Sequence, residues 1–126
     1  MKEVMAVIRM NMINSTKKAL INAGVSSMTA MEALGRGKGL VDVSLLKGAE
    51  QGYEEAIAQL GSGQRLIPKR VISIVVPEKL VKKTVKTIIT ANKTGKSGDG
   101  VVWVLPVVDA ISVRTAESGN SVLDDF

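Results

Sequence analysis

The 126-residue sequence predicts an α+β fold in which helices cover one face of a β-sheet. Short, almost continuously apolar segments are typical of buried strands, and two segments with apolar residues at helical spacing separate them. The composition, 45% hydrophobic and 23% charged, is typical of one compact core. The chain contains no Cys, and at this length it needs no disulfide to fold. We therefore predict a single domain over residues 1–126.

The first half of the chain predicts a strand, a helix and a second strand. Lys2 to Met10 is apolar at most positions, which predicts a buried strand. From Asn14 to Ala23 the apolar residues recur at helical spacing, and Gly24 follows as a cap. Val25 to Leu34 is a further apolar stretch that ends at a run of glycines over positions 35–39.

The second half repeats the order of strand, helix and strand. Arg70 to Val76 predicts a strand, and Pro77 then opens a helix that ends near Asn92, with an apolar stripe opposite its lysines. Val101 to Val107 predicts the last main strand. Ala110 to Arg114 is a candidate short strand, and residues 116–126 are expected to form a flexible tail.

This order of elements predicts a ferredoxin-like βαββαβ sandwich. Two helices cover only one face of such a sheet, whereas strands that are apolar at nearly every position need burial on both faces. We therefore expect an oligomer whose sheets face inward. Residues 39–68, which include a candidate helix at 49–60, form an unusually long loop and are the first candidate for contact with a partner.

The composition excludes several function classes. The chain has no His and no Cys, which excludes zinc sites built from these ligands and acid–base catalysis by imidazole. No pair of carboxylates is placed as an acid and a base on rigid elements, so we predict that the chain is not an enzyme. The longest apolar run, Val101 to Val108, contains a Pro and is too short to span a bilayer. We expect a cytoplasmic protein without a membrane partner.

Two glycine-rich loops can direct backbone N–H groups at a phosphate. One spans residues 35–39 with Arg36 and Lys38, and the other spans 94–100 with Lys96. The segment TANKTGKS, which runs into the second loop, ends in a P-loop-like Gly-Lys-Ser, but the P-loop pattern requires Gly where Thr90 stands, and we reject that interpretation. Two surface turns with solubilising lysines remain the alternative. Asp99 between two glycines is either a magnesium ligand or, more commonly, a turn residue.

The segment TGKSGDGVVWV at 94–104, followed by Arg114, Thr115 and Glu117, resembles the C-terminal signature of the PII nitrogen-regulatory proteins. KEVMAVIR, KKALINAGV, MTAMEALGRGKG, KGAE and IPKRVISIVVPEKLV resemble further segments of that family in the same order. The loop between Gly39 and Pro68 is longer than the family's usual loop. The resemblance covers nearly the whole chain.

The resemblance implies a trimer of ferredoxin-like subunits whose intersubunit clefts bind ATP or ADP, and Mg-ATP together with 2-oxoglutarate. It implies a T-loop at 36–67 that docks on a target protein. Because a metal ligand set is absent, we predict no metal site in the chain itself, and Mg would enter with ATP. The nucleotide would be bound by Thr29, Gly35, Arg36, Val75, Gly95, Gly98, Asp99, Gly100 and Arg114. 2-Oxoglutarate would be bound by Gly37, Lys38, Gly39 and Lys69, and the target by Leu46, Lys47, Tyr53, Glu54 and Glu55.

Four positions depart from the family pattern. Val101 and Ser112 stand where the family has two phosphate-binding cations. Gly37 replaces a Gln that helps to hold the metal and 2-oxoglutarate, and Ser73 replaces an acidic residue. Loss of two charge-assisted contacts predicts weak nucleotide binding by this chain alone. A homologous partner chain that completes each cleft would explain the departures.

The long T-loop and the incomplete ligand set resemble the second, longer PII protein encoded among nitrogen-fixation genes of methanogenic archaea. Gln51 occupies the position of the family's uridylylated Tyr, so we predict no uridylylation. The resemblance implies two protein partners, a PII-like paralogue and dinitrogenase. The chain and its paralogue would inhibit dinitrogenase together, and 2-oxoglutarate would relieve the inhibition. The resemblance also implies self-association as a trimer or a mixed oligomer. The alternatives are regulation of glutamine synthetase or an ammonium transporter and, in another class, RNA binding. Trp103 is the single aromatic residue near the sheet, so we expect no nucleic-acid partner.

Overall fold

The computed structural model describes residues 1–37 and 66–124. Its strands and helices follow the predicted order. They are β1 (Lys2–Arg9), α1 (Ile13–Asn22), β2 (Thr29–Gly35), β3 (Ile67–Val76), α2 (Val81–Asn92) and β4 (Val101–Pro106). The strands form one sheet in the order β2-β3-β1-β4, and each neighbouring pair is antiparallel. The predicted ferredoxin-like βαββαβ fold is therefore confirmed.

Helix α1 ends where the glycine pattern predicts. Gly24 has a φ of +84°, its N–H donates to the Ile21 carbonyl, and the Val25 N–H donates to the Leu20 carbonyl at 2.9 Å. These two bonds form the Schellman motif, which occupies carbonyl groups that the end of a helix leaves without partners. The chain therefore turns back toward the sheet at this glycine. Of the helices described here, none is long and apolar enough to cross a membrane.

The core lies between the helices and one face of the sheet. Val4, Ala6 and Ile8 of β1 alternate with more exposed residues, and Ile72 and Ile74 of β3 are buried beside them. Leu20 of α1 and Ile88 of α2 complete this cluster from the helix side. Alternation along each strand sends every second side chain to the opposite face of the sheet.

A buried polar link joins the two helices. The side-chain nitrogen of Asn92 donates to the Thr16 hydroxyl at 3.0 Å and to the Ile88 carbonyl at 2.9 Å. Thr16 in turn donates to the Met12 carbonyl at 2.7 Å. Asn92 Oδ1 is buried and has no hydrogen-bond partner within the described residues. The contacts fix the end of α2, from which the glycine-rich loop at 94–100 departs.

The second face of the sheet is also apolar, and in the single chain it is partly exposed. Val101, Trp103 and Leu105 of β4 are 55%, 39% and 37% exposed. Their register partners on β1 are Val7, Met5 and Glu3, so the face is apolar around Val101 and Trp103 and carries a carboxylate beside Leu105. The amino-acid pattern had predicted burial of both faces, and one subunit buries only the face beneath its helices. Burial of this second face by other subunits stays a prediction.

Several predicted boundaries differ from the structure. Strand β2 begins at Thr29 rather than at Val25, because Val25 packs in the core just after the helix cap. Strand β3 begins at Ile67 rather than at Arg70. Instead of a strand at 110–114, the structure has a single bridge between Ile111 and Ser118. Smaller shifts occur at the end of β1, where Met10–Met12 forms a 3₁₀ turn, and at the end of β4.

The expected flexible tail is packed over part of its length. Asn120–Val122 forms a 3₁₀ turn, and Val122 and Leu123 are 7% and 9% exposed. The Ser27 hydroxyl donates to Asp124 Oδ1 at 2.5 Å. Apolar side chains at the end of a polar segment thus find a buried place beside the start of β2, which the composition of the segment does not predict.

Candidate functional site

The glycine-rich loop at 94–100 is organised around the carboxylate of Asp99. The backbone N–H groups of Thr94 and Gly95 donate to Asp99 Oδ2 at 2.7 and 2.9 Å. The Thr94 hydroxyl donates to the other carboxylate oxygen. Gly95, Gly98 and Gly100 all have positive φ values, which side-chain-bearing residues rarely adopt. The loop therefore closes on itself as a ring with Asp99 as its acceptor.

Strand β1 holds this ring from outside. The Arg9 guanidinium donates through Nη1 to Asp99 Oδ1 at 2.8 Å and through Nη2 to the Ser97 carbonyl at 3.1 Å. The Thr94 hydroxyl and N–H, together with the Arg9 and Gly95 N–H groups, hold the pKa of the Asp99 carboxyl well below its usual range. Asp99 is therefore ionised at neutral pH and serves as the acceptor of the loop.

The end of the ring lies against the backbone of β1. A Cβ atom on Gly100 would lie 2.1 Å from the Val7 carbonyl oxygen, and the φ of Gly100 is +115°. A Cβ atom on Gly98 would meet the Arg9 guanidinium at 3.3 Å. Gly100 is thus required by close approach to backbone as well as by its own conformation, whereas at Gly98 the positive φ is the main constraint, because the guanidinium can shift. This contact sets the distance between the loop and the sheet.

A cleft of about 420 Å³, here named the loop cleft, opens between this loop, the end of β2 and the start of β3. Many of the predicted anion-binding residues meet there although they are far apart in the sequence. Those that line it are Gly35, Arg36, Gly37, Lys69, Gly98 and Gly100. Val101 lines the same cleft, so one of the two missing family cations would have faced it. Two cations and a glycine-rich backbone suit a phosphate or a carboxylate.

A second cleft of about 610 Å³, here named the β2-start cleft, contains the other predicted nucleotide residues Thr29, Val75 and Arg114. Thr29 and Gly35 are the first and last residues of β2, and a strand rises about 3.3 Å per residue, so the two clefts are about 20 Å apart along the strand. Val122 and Leu123 from the packed tail also line this cleft. One subunit therefore divides the predicted nucleotide site between two places.

The other residues considered from the sequence fall into three groups. Gly95 and Asp99 do not line the loop cleft, because they bond to each other within the loop. Ser73, which replaces the family's acidic residue, donates to Glu3 Oε2 at 2.5 Å, so a carboxylate from β1 lies beside it. The remaining predicted positions, which lie outside the described residues, are Lys38, Gly39, Leu46, Lys47, Tyr53, Glu54 and Glu55.

Arg9 is the site residue that the sequence reasoning did not single out. In the sequence, Arg9 is a single cation at the end of an apolar strand, and many surface cations occur in the same position without any role in a site. The register places Arg9 opposite Lys69 on β3, and both line a groove that adjoins the loop cleft and shares Gly37 and Gly98 with it. The cationic part of the site is therefore larger than the glycine motifs indicate.

The sequence profile of the family described as nitrogen regulatory protein P-II matches residues 1–117. The nitrogen fixation nifHD region GlnB-like protein 2 of Methanobacterium ivanovii is 43% identical over 123 residues, which are 98% of this chain and 99% of that protein. The protein of the same description from Methanococcus maripaludis is 39% identical over 98% of this chain and all of its own. The crystal structure of Arabidopsis thaliana PII bound to citrate superposes with a TM-score of 0.73 at 26% identity and covers 99% of this chain and 91% of that one.

Proposed function

The chain belongs to the nitrogen regulatory protein P-II family, and on that basis we propose that it regulates nitrogen fixation in response to an adenine nucleotide and 2-oxoglutarate. P-II proteins are signalling regulators, which confirms the prediction that the chain is not an enzyme. Its output is a change in the binding of another protein, because a regulator of this kind acts by shifting populations between states with different affinities.

The loop cleft is the observation that carries the proposal. Arg36, Lys69 and the backbone of Gly98 and Gly100 converge on it from three separate segments of the chain. A nucleotide brings a polyphosphate whose charge these groups would neutralise, and 2-oxoglutarate brings two carboxylates, one of which suits Lys69. Arg36 and Gly37 are the first residues of the T-loop at 36–67, so a ligand in this cleft contacts the base of the segment proposed to bind the target.

We propose that the complete nucleotide site forms between subunits. The β2-start cleft and the loop cleft each contain part of the predicted ligand set, about 20 Å apart. The exposed apolar face around Trp103 gives a reason for subunits to associate through their sheets. In a trimer, or a mixed oligomer with a paralogue, the loop cleft of one subunit would meet the β2-start cleft of its neighbour.

The proposed target is dinitrogenase, bound and inhibited through residues 36–67 until 2-oxoglutarate relieves the inhibition. The support is the full-length similarity to two proteins whose descriptions place them in the nifHD region. The loop also carries Gln51 where a uridylylated Tyr would stand, which favours control by ligands over control by modification. The same fold and clefts would serve another target, so the partner needs a direct test.

Calorimetry tests the ligands. The purified chain, alone and mixed with its paralogue, is titrated with Mg-ATP and then with 2-oxoglutarate. The Lys69→Gln variant should weaken 2-oxoglutarate binding about tenfold or more, since it removes a charge-assisted contact. Lys82→Gln, which changes an exposed lysine of α2, is the matched control and should bind like the wild type. Absence of binding in every mixture would refute the sensing role.

A pull-down tests the target. Immobilised chain plus paralogue is incubated with purified dinitrogenase or with glutamine synthetase, with and without 2-oxoglutarate. We expect dinitrogenase to bind and 2-oxoglutarate to release it. Retention of glutamine synthetase alone would replace the proposed target with general nitrogen regulation, and retention of neither would refute target docking by this pair.

A further inference from the structure

Arg9 has contacts that none of the predicted roles explains. It lies at the last position of β1, and its guanidinium reaches two residues of the glycine-rich loop, Asp99 at 2.8 Å and the Ser97 carbonyl at 3.1 Å. The Arg9 and Asp99 side chains are 28% and 24% exposed, so solvent does not fully screen the pair. Arg9 and Asp99 are 90 positions apart in the sequence, and their contact joins the loop to the sheet.

The loop needs an external anchor because of its composition. Gly95, Gly98 and Gly100 leave its backbone with large conformational freedom in the absence of contacts. The bonds from Thr94 and Gly95 to Asp99 close the ring locally but do not position it relative to β1. The backbone contact of Gly100 with Val7 fixes the end of the loop, and Arg9 supplies the side-chain link to its middle, where the φ of Gly98 (+97°) brings the backbone beside the guanidinium.

The charge of Arg9 also matters for an anionic ligand. An ionised carboxylate in a loop that receives phosphate repels that ligand. Arg9 pairs with Asp99 and so offsets this charge at short range. Removal of Arg9 would therefore weaken anion binding in two ways. The loop would be less ordered, and an uncompensated negative charge would remain beside the groove that Arg9 lines with Lys69 and Gly98.

We propose that Arg9 is a positioning residue, which through Asp99 and Ser97 holds the backbone of loop 94–100 in the arrangement that receives the phosphates of an adenine nucleotide. The nucleotide in this statement rests on the proposed function, whereas the holding of the loop does not. Asp99 then acts as the internal acceptor of the loop, with Arg9 as its counter-ion, and the phosphates are contacted by the neighbouring backbone.

Three full-length variants test the proposal. Arg9→Gln removes the charge and both donors to the loop, whereas Arg9→Lys keeps the charge but offers one ammonium group instead of a two-pronged guanidinium. Arg70→Gln is the matched control, because Arg70 lies next to Lys69 and pairs with Glu32 at 3.6 Å, away from the loop. Each variant removes or alters one partly exposed arginine, and thermal unfolding checks that all three fold.

Two measurements are made on each variant. Amide hydrogen exchange across 94–100 in the ligand-free protein reports the order of the loop, and calorimetry with Mg-ATP, in the presence of the paralogue, reports affinity. Arg9→Gln should exchange about tenfold faster in this segment and bind about tenfold more weakly, the effect of losing one charge-assisted contact. Arg9→Lys should fall between, and Arg70→Gln should match the wild type in both.

Wild-type exchange in Arg9→Gln would overturn the proposal, and so would a loosened loop that leaves Mg-ATP affinity unchanged. Full restoration of affinity by Arg9→Lys with the loop still loose would show that charge alone matters and would overturn positioning. If the wild-type mixture binds no nucleotide, the proposed ligand is refuted, while the exchange data still decide whether Arg9 holds the loop.

Discussion

Replacement of Gly100 by Ala is the substitution for which the structure gives the sharpest expectation. Gly100 connects the glycine-rich loop to β4 at a φ of +115°, and its Cα faces the backbone of β1. An added Cβ atom would lie 2.1 Å from the Val7 carbonyl oxygen, 3.2 Å from its carbon and 3.4 Å from Ile8 Cα. All three neighbours are backbone atoms, so no side-chain rotation can relieve the contact.

The cost has two parts. A non-glycine residue at such a φ is strained by about 1–3 kcal/mol. Relief of the contact requires β4 to move away from β1, which breaks the end of the ladder at the Val7–Val101 pair and loses about 1 kcal/mol for each hydrogen bond broken. With one or two bonds broken, the free energy of unfolding should fall by about 2–5 kcal/mol, which lowers Tm by about 6–20 °C for a chain of this size.

Gly95→Ala is the matched control in the same loop. Gly95 has a φ of +83°, and a Cβ atom there would have nothing within 4 Å. It should therefore cost only the backbone strain, about 1–2 kcal/mol. Thermal unfolding of both variants is followed by circular dichroism at one protein concentration, because the proposed association of subunits would make Tm depend on concentration.

The difference in Tm between the two variants shows whether the close approach of the loop to β1 constrains the protein. If Gly100→Ala and Gly95→Ala lower Tm equally, the close approach of the loop to Val7 does not constrain the protein, and the reasoning fails. If Gly100→Ala alone is strongly destabilised, the approach of loop and strand is a real constraint. Its Mg-ATP affinity should then fall as well, because the loop cleft is lined by the displaced residues.

Three further predictions concern other parts of the molecule. Trp103→Glu should abolish the proposed association of subunits in sedimentation, because it places a carboxylate on the open face of the sheet, whereas Ile21→Glu on an exposed helix position should not. The pKa of the Asp99 carboxyl is held below its usual range, so the ordered loop should persist on acidification through pH 4 and be lost only at lower pH, as followed by the amide chemical shifts of the loop. Asn92→Asp should lower the free energy of unfolding in urea by about 3 kcal/mol or more, because its buried nitrogen donates to α1 and to its own helix; an unchanged midpoint would contradict the buried link.

The order of strands and helices could be predicted because it depends on local periodicity. Alternation of apolar residues and the glycine after α1 each carry their own signal, and the cap at Gly24 was confirmed. The start of β3 could not be predicted in this way, because Pro68 argues against a central strand at that position. In the structure Arg9–Lys69 is the last pair between β1 and β3, so Pro68 lies beyond the end of β1, where β3 has a neighbour only on the β2 side.

The residues of the candidate site were proposed from the resemblance, whereas their arrangement came from the structure. The resemblance named Arg36, Lys69, Gly98 and Gly100, and the antiparallel register brings them to one cleft. It also named Asp99, whose carboxylate instead bonds within the loop. No sequence pattern distinguishes an acid that bonds its own loop from one that faces a ligand, because the two differ only in the direction of the side chain.

The sequence by itself determined the fold class, the family and the kind of chemistry available, since these depend on residue types and their spacing. The tertiary structure alone decided that Arg9 at the end of β1 reaches Asp99 in the loop before β4, that the predicted nucleotide residues fall into two clefts, and that one face of the sheet is left open. Contacts between residues 90 positions apart depend on how the strands are ordered and aligned, and no local pattern in the chain encodes a distance of that kind.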